Sequence, residues 1–203
     1  MIVTVSRQFG SGGRELGKRL ADSLGLRYFD RELVTEIATK TALDEGYVAS
    51  ILENGGFNNF AFSHARTIPL LSSASASVTD VLIAQQKIIK SIGEKGDCVI
   101  VGRCADLILS DLNPVRLFVY ADEQSKIERC RARAEHGENL SDKEYLKSFK
   151  KIDKGRAKLH DLLSSTEWGE KEGYDLMINT SGLDISTIIA PLAEIISELS
   201  ARK

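Results

Sequence analysis

The residues best equipped for chemistry stand near the start of the chain. Phe9-Gly10-Ser11-Gly12-Gly13-Arg14-Glu15-Leu16-Gly17 follows a β-branched run, Ile2-Val3-Thr4-Val5, and leads into Leu16, Leu20, Ala21 and Leu24 at helical spacing. A glycine loop between a strand and a helix points backbone N–H groups and a helix N-terminus at one spot, the arrangement that cradles phosphates. The string departs from the regular G-x-x-x-x-G-K-[ST] pattern: laid on its end, Gly13 stands where the lysine belongs and Arg14 where the Ser/Thr belongs. Arg14 offers a replacement charge, since a guanidinium grips phosphate oxygens bidentately, but it cannot hold a cation. The plainer alternative is a tight strand-to-helix turn with no ligand. The dinucleotide fingerprint G-x-G-x-x-G fits less well, because Gly10, Gly12 and Gly13 lack its spacing.

A second set of polar residues ends the short apolar runs: Ser6-Arg7, Asp30-Arg31, Gly102-Arg103, Ala121-Asp122 and Asn179-Thr180. In open parallel sheets ligands bind beyond the carboxyl ends of the strands, so these pairs are cleft candidates, Arg103 foremost. The elements that must position them alternate. Strands are expected at Ile2–Val5, Arg27–Asp30, Cys98–Val101, Val115–Tyr120 and Tyr174–Ile178, the third and fourth as near-continuous apolar runs of a sheet covered on both faces. Helical spacing marks Asp44–Leu52, a long helix through Val78 to Ile92, a charged region Glu123–Leu163 and a final amphipathic helix, Ile185–Leu199. The fold class is therefore α/β, three layers around a five-stranded parallel sheet.

Composition narrows the rest. The 203 residues make one ordinary domain. With 42% apolar and 28% charged residues, disorder and fibrous classes are excluded. Twenty-seven basic against 29 acidic residues give a net charge of −2, which argues against a nucleic-acid binder while leaving room for a local basic funnel. Cys98, Cys104 and Cys130 lack metal spacing and read as reduced thiols of a cytoplasmic protein. No run approaches a membrane span. His64, His136 and His160 are scattered and read as surface or lid residues. Asn58, Asn59, His64 and Arg66 are candidates to select an acceptor, or belong to a flexible loop. Glu15 and Asp106 either steady a magnesium-bound water or cap helices. Trp168 and Tyr174 read as core aromatics.

Taken in order, the glycine loop, Tyr28-Phe29-Asp30-Arg31-Glu32-Leu33, Cys98 through Arg103, the Lys126/Arg129 helix, Ile152-Asp153-x-x-Arg156 and Trp168 with Tyr174-Asp175-Leu176 resemble the cytidylate kinase-like family. The resemblance spans nearly the whole chain. It implies a P-loop nucleoside monophosphate kinase fold with a core over about 1–38, 96–123 and 164–203, an acceptor-side insertion over about 39–95 and a lid over about 124–163. It implies ATP with Mg2+ as cofactors, nucleotide substrates, and no nucleic-acid or membrane partner. ATP phosphates would meet Gly10, Ser11, Gly12, Gly13 and Arg14. The acceptor would meet Asp30, Arg31 and Arg103, and the catalytic charges would be Arg14, Arg103, Arg129 and Arg156.

The departures are specific. Lys126 stands where the family's lid usually has Arg, Arg31 replaces the Ser of an Asp-Ser-Gly stretch, and Cys104 replaces the Asp after Gly-Arg. They keep three readings open: a CMP- or dCMP-directed kinase, a kinase with a non-nucleotide acceptor, and a non-catalytic nucleotide-binding regulator.

Overall fold

The computed structural model describes residues 1–54, 74–134 and 140–203. Asn58, Asn59, His64, Arg66 and His136 lie outside the described residues. Five parallel strands, β1 (Ile2–Arg7), β2 (Arg27–Phe29), β3 (Cys98–Val101), β4 (Val115–Tyr120) and β5 (Leu176–Asn179), form one sheet in the order β2-β3-β1-β4-β5. The helices are α1 (Gly13–Leu24), α2 (Glu32–Thr41), α3 (Glu45–Asn54), α4 (Ala74–Glu94), α5 (Ala105–Ile108), α6 (Glu123–Arg133), α7 (Asp142–Asp161) and α8 (Ile185–Ala201).

Strand periodicity sorts the core into two layers. Val3, Val5, Val99, Val101, Val115, Leu117 and Val119 face α1 and α8. Cys98 and Ile100 alternate to the other face, onto Leu33, Ile37, Ile88 and Ile89 of α2 and α4. Both faces of β3 are thus buried, which is why it reads as an unbroken apolar run. Among the described residues no helix is long and apolar enough to cross a membrane.

Several boundaries differ from the sequence expectation, three of them for reasons the structure shows. β1 runs on through Ser6 and Arg7, because β4 supplies a ladder as far as Arg7 opposite Val119. β5 begins only at Leu176, since the Asp175 carboxylate accepts the Arg116 N–H at 2.7 Å and ties that corner down. The charged region divides into α6 and α7, with Asp122 capping the first and a Ser141/Glu144 capping box opening the second. β1 lies between strands reached by opposite excursions of the chain, so its carboxyl end is the switch point where such sheets bind ligands.

Candidate functional site: an arginine cluster at the end of the central strand

At that point the chain leaves β1 through Gln8 to Gly12. Gly10 and Gly12 hold left-handed φ values of 75° and 80°, a conformation costly for other residues. Neighbours press on the loop. A Cβ on Gly10 would stand 3.0 Å from Lys126 Cβ, and one on Gly12 would overlap Ile185 Cδ1. Ser11 is fully buried, its hydroxyl donating to the Gln8 carbonyl at 2.9 Å, while Thr180 Oγ1 donates to the Ser11 carbonyl at 2.7 Å. Helix α7 is fastened from the other side, where Asp153 accepts the Phe9 N–H at 2.8 Å and pairs with Arg156 at 3.2 Å. Arg156 also donates to the Arg7 carbonyl at 3.0 Å and lies over the Phe9 ring.

Four arginines converge around the end of β1. Arg7 is almost wholly buried, and burial, then the charges of Arg156, Arg103 and Arg14, lower its pKa to about 9 against the pull of Asp30. A protein guanidinium keeps its proton at neutral pH, so the lowering reflects burial first and the crowding of like charge second. Arg103 is buried at φ 61°, followed by Cys104 at φ 53° and preceded by Gly102 at φ 73°. Two successive non-glycine residues in that region store roughly 1–3 kcal/mol each. Their turn aims Arg103 into the cleft, and Gln85 Nε2 steadies it by donating to the Arg103 carbonyl at 3.1 Å. The Cys104 thiol is pushed up to about 12 by burial, so it is no nucleophile at neutral pH.

Two cavities meet at Arg7 and Arg156. The larger, of about 420 Å3, lies between the glycine loop and the α6/α7 pair, with Arg14, Arg31, Arg133 and Tyr145 in its wall. The smaller, of about 30 Å3, is lined by Ser6, Arg103, Asp106, His160 and Trp168.

Several of the expected site residues stand apart from one another. Arg31 and Arg103, expected together at the acceptor, line different cavities. Asp30 lines neither; it is buried beneath the cluster as counter-charge, 2.5 Å from Arg14 and 3.8 Å from Arg7. Arg14 is thus an ion-paired residue at the loop's rim. Arg129, expected over the transferring phosphates, donates instead to the carbonyls of Thr180 and Leu183 and borders Gly12, outside both cavity linings.

His160, read as a surface or lid residue, is buried on α7, 3.9 Å from an equally buried Asp106. Burial raises the Asp106 carboxyl, with His160 and the backbone N–H groups of Asp106 and Leu107 opposing the rise; Asp106 stands in the first turn of α5, whose N-cap is Cys104. Glu15 pairs with Arg19 and with Arg133 of the lid. Trp168 packs edge-on against Phe118 and Tyr174 stacks beside it, as core aromatics do, though Trp168 also lines the small cavity. Sequence reading missed the buried Asp106–His160 pair and the structural part played by Gln85; no local pattern announces either.

The residues do not fit a protein-held Mg2+. Among the described residues no three His, Cys, Asp or Glu side chains are grouped to hold a metal. Arg14 stands where the loop hydroxyl would be, and Asp30 is taken up by arginine.

A parallel sheet in this order, with a glycine loop at its switch point, is the fold of P-loop-type kinases. Residues 2–182 match the cytidylate kinase-like family, and the chain belongs to it. Among solved structures, an uncharacterized protein from Eubacterium ventriosum is similar at 27% identity and TM-score 0.69, covering 97% of this chain and 98% of that one. Shikimate kinase from Bacteroides thetaiotaomicron shares the fold at 14% identity and TM-score 0.59, covering 97% and 98%. Shikimate kinase from Acinetobacter baumannii, in complex with shikimate, does so at 14% and 0.53, covering 97% and 93%. No curated protein matches the sequence.

Proposed function

We propose that the chain is an ATP-dependent phosphotransferase that passes the γ-phosphoryl group to a nucleoside monophosphate of the CMP/dCMP kind. One observation carries this reading. Arg7, Arg14, Arg103 and Arg156 gather at one point at the end of β1, with Asp30 beside Arg7 and Arg14 and with Asp153 beside Arg156. Phosphoryl transfer asks chiefly for positioning and for neutralised charge, which a cluster of arginines supplies to an anion. The donor triphosphate lies along the backbone N–H groups of Gly10 to Gly13, and Arg103 holds the acceptor phosphate. An acceptor phosphate oxygen attacks the γ-phosphorus in line; the new P–O bond forms as the bond to the β-phosphate oxygen breaks, and ADP leaves with that electron pair. Arg156, on the lid helix, closes over the transferring group, and closure keeps water from competing. Mg2+ accompanies ATP in this reading, with no ligand assigned to it from the chain.

A second reading is a kinase with a small, anionic, non-nucleotide acceptor. It is favoured by Cys104 in the wall of the cavity beside Arg103, where the family has Asp. The test is ADP release from Mg-ATP by the purified chain with CMP, dCMP, UMP, AMP and GMP in turn. Turnover with a pyrimidine monophosphate is expected. ATP binding without turnover on any of the five would transfer the proposal to the second reading or to a regulator.

A further inference from the structure

The loop has exchanged a lysine for a glycine, and the structure indicates where the lost charge went. With Gly12 on the second glycine of G-x-x-x-x-G-K-[ST], the first glycine of the pattern falls on Arg7 and the lysine on Gly13. Cation and glycine have traded ends of the loop. The trade is enforced by space: a Cβ on Gly13 would lie 2.6 Å from Arg7 Cβ and 3.0 Å from Arg7 Cγ. The stem of Arg7 therefore runs over Gly13, through the volume in which a side chain at position 13 would begin. Farther along, a Cβ on Gly102 would fall on Arg7 Nη1. Two glycines, distant in sequence, make room for one arginine.

Among the described residues the charge so housed is poorly matched. The ion pair it makes with Asp30 is 3.8 Å long, and Asp30 lies closer to Arg14. A purely structural buried arginine is expected to be met by hydrogen-bonded carboxylates, because leaving such a charge under-paired costs stability. Arg7 also lines both cavities, the one beside the loop and the one beside Arg103. A group passing from one to the other passes its guanidinium.

Resting on the phosphotransferase reading, we propose that Arg7 is the phosphate-gripping cation of this loop, working from the strand in place of the lysine, and that its ligand is the terminal phosphoryl group of a nucleoside triphosphate. Arg14, at the Ser/Thr position and paired with Asp30, is then the lesser partner.

The experiment measures ATP and AMP affinity of the full chain calorimetrically, with turnover and thermal midpoint alongside. Arg7→Met keeps the apolar stem and removes the charge. It should weaken ATP binding by about 100-fold, as loss of a buried charge-assisted contact does, while AMP, which has no β- or γ-phosphate, changes less than about threefold. Its thermal midpoint should hold or rise, because a crowded buried charge has gone. The double variant Arg7→Gly/Gly13→Lys, which removes the Cβ that a side chain at 13 would meet and returns the lysine to its place, should bind ATP at least about tenfold more tightly than Arg7→Gly. ATP affinity in Arg7→Met equal to that of the parent would overturn the assignment and leave the kinase reading standing. So would a collapse of the fold, which marks a structural arginine. A parent chain that binds no ATP overturns both.

Discussion

The cavity beside the glycine loop and the cavity beside Arg103 are walled by different materials. The first is walled by loop backbone, a paired Arg14 and side chains from two lid helices. The second is walled by buried side chains, Arg103, Asp106 and His160, set on a strained turn and on the inner side of α7. Backbone N–H groups accept any phosphate chain of the right shape, so the loop side is generic. Buried side chains penalise a ligand that leaves them unpaired, often by several orders of magnitude in rate, so the Arg103 side is where selectivity is built.

The largest break in that comparison comes from the Arg103 side. Arg103→Ala should lower turnover at least about 100-fold with folding intact. Arg103→Gly removes the charge and also relieves φ 61°, so it should be as inactive yet at least as stable as the parent, read from the thermal midpoint. Retained turnover in either variant would remove Arg103 from the chemistry.

On the loop side the expected damage is to shape. Gly12→Ala forces a side chain into φ 80° and onto Ile185, at roughly 1–3 kcal/mol, a fall of about 2–12 °C in midpoint for a chain of this size. Gly25→Ala has a similar φ of 66° but open space around its Cβ, and should cost only about 1 kcal/mol. Equal losses would mean that Ile185 yields and that the loop is not clamped.

The two sides also differed in how far the sequence announced them. β3 and β4 were legible because burial on both faces leaves a near-continuous apolar run, interrupted in β4 only by Arg116. The last two residues of β1 were not, since Ser6 and Arg7 are polar and owe their strand geometry to β4. α5 is a single turn entered through a left-handed Cys104, with too few residues for a period to show. Within the site, the glycine loop and Arg103 were legible because glycine at a strand end is a local signal. The burial of Arg7 was not, since it depends on missing side chains at Gly13 and Gly102, which only the folded chain brings together. The contact Arg129 makes was not legible for the same reason: its role was taken from the resemblance, which does not show the Thr180 carbonyl it donates to.

The Arg103 side should carry a pH signature. Burial raises the Asp106 carboxyl, so the stability this group confers is complete below its unfolded pKa of about 4 and is withdrawn as pH rises through the elevated value. Asp106→Asn removes the titration but keeps an oxygen to accept the Leu107 N–H. The midpoint of the variant minus that of the parent should therefore climb as pH rises above about 4. A flat difference would mean that His160 fully supports the charged carboxylate, and the cavity would then present an ion pair to its ligand.

The smallest effect belongs to the clasp that closes the loop side. Arg133 of α6 reaches Glu15 of α1 at 2.5 Å, but both side chains are substantially exposed, 52% and 31%. A pair so placed contributes no more than about 1 kcal/mol. Arg133→Ala should thus leave the thermal midpoint within about 4 °C of the parent. The clasp joins the lid to the helix that follows the glycine loop, so its loss should favour opening. ADP release from ATP without acceptor should then rise about two- to threefold, because an open lid admits water to the γ-phosphate. An unchanged basal rate would show that Asp153, through the Phe9 N–H and Arg156, holds the lid by itself.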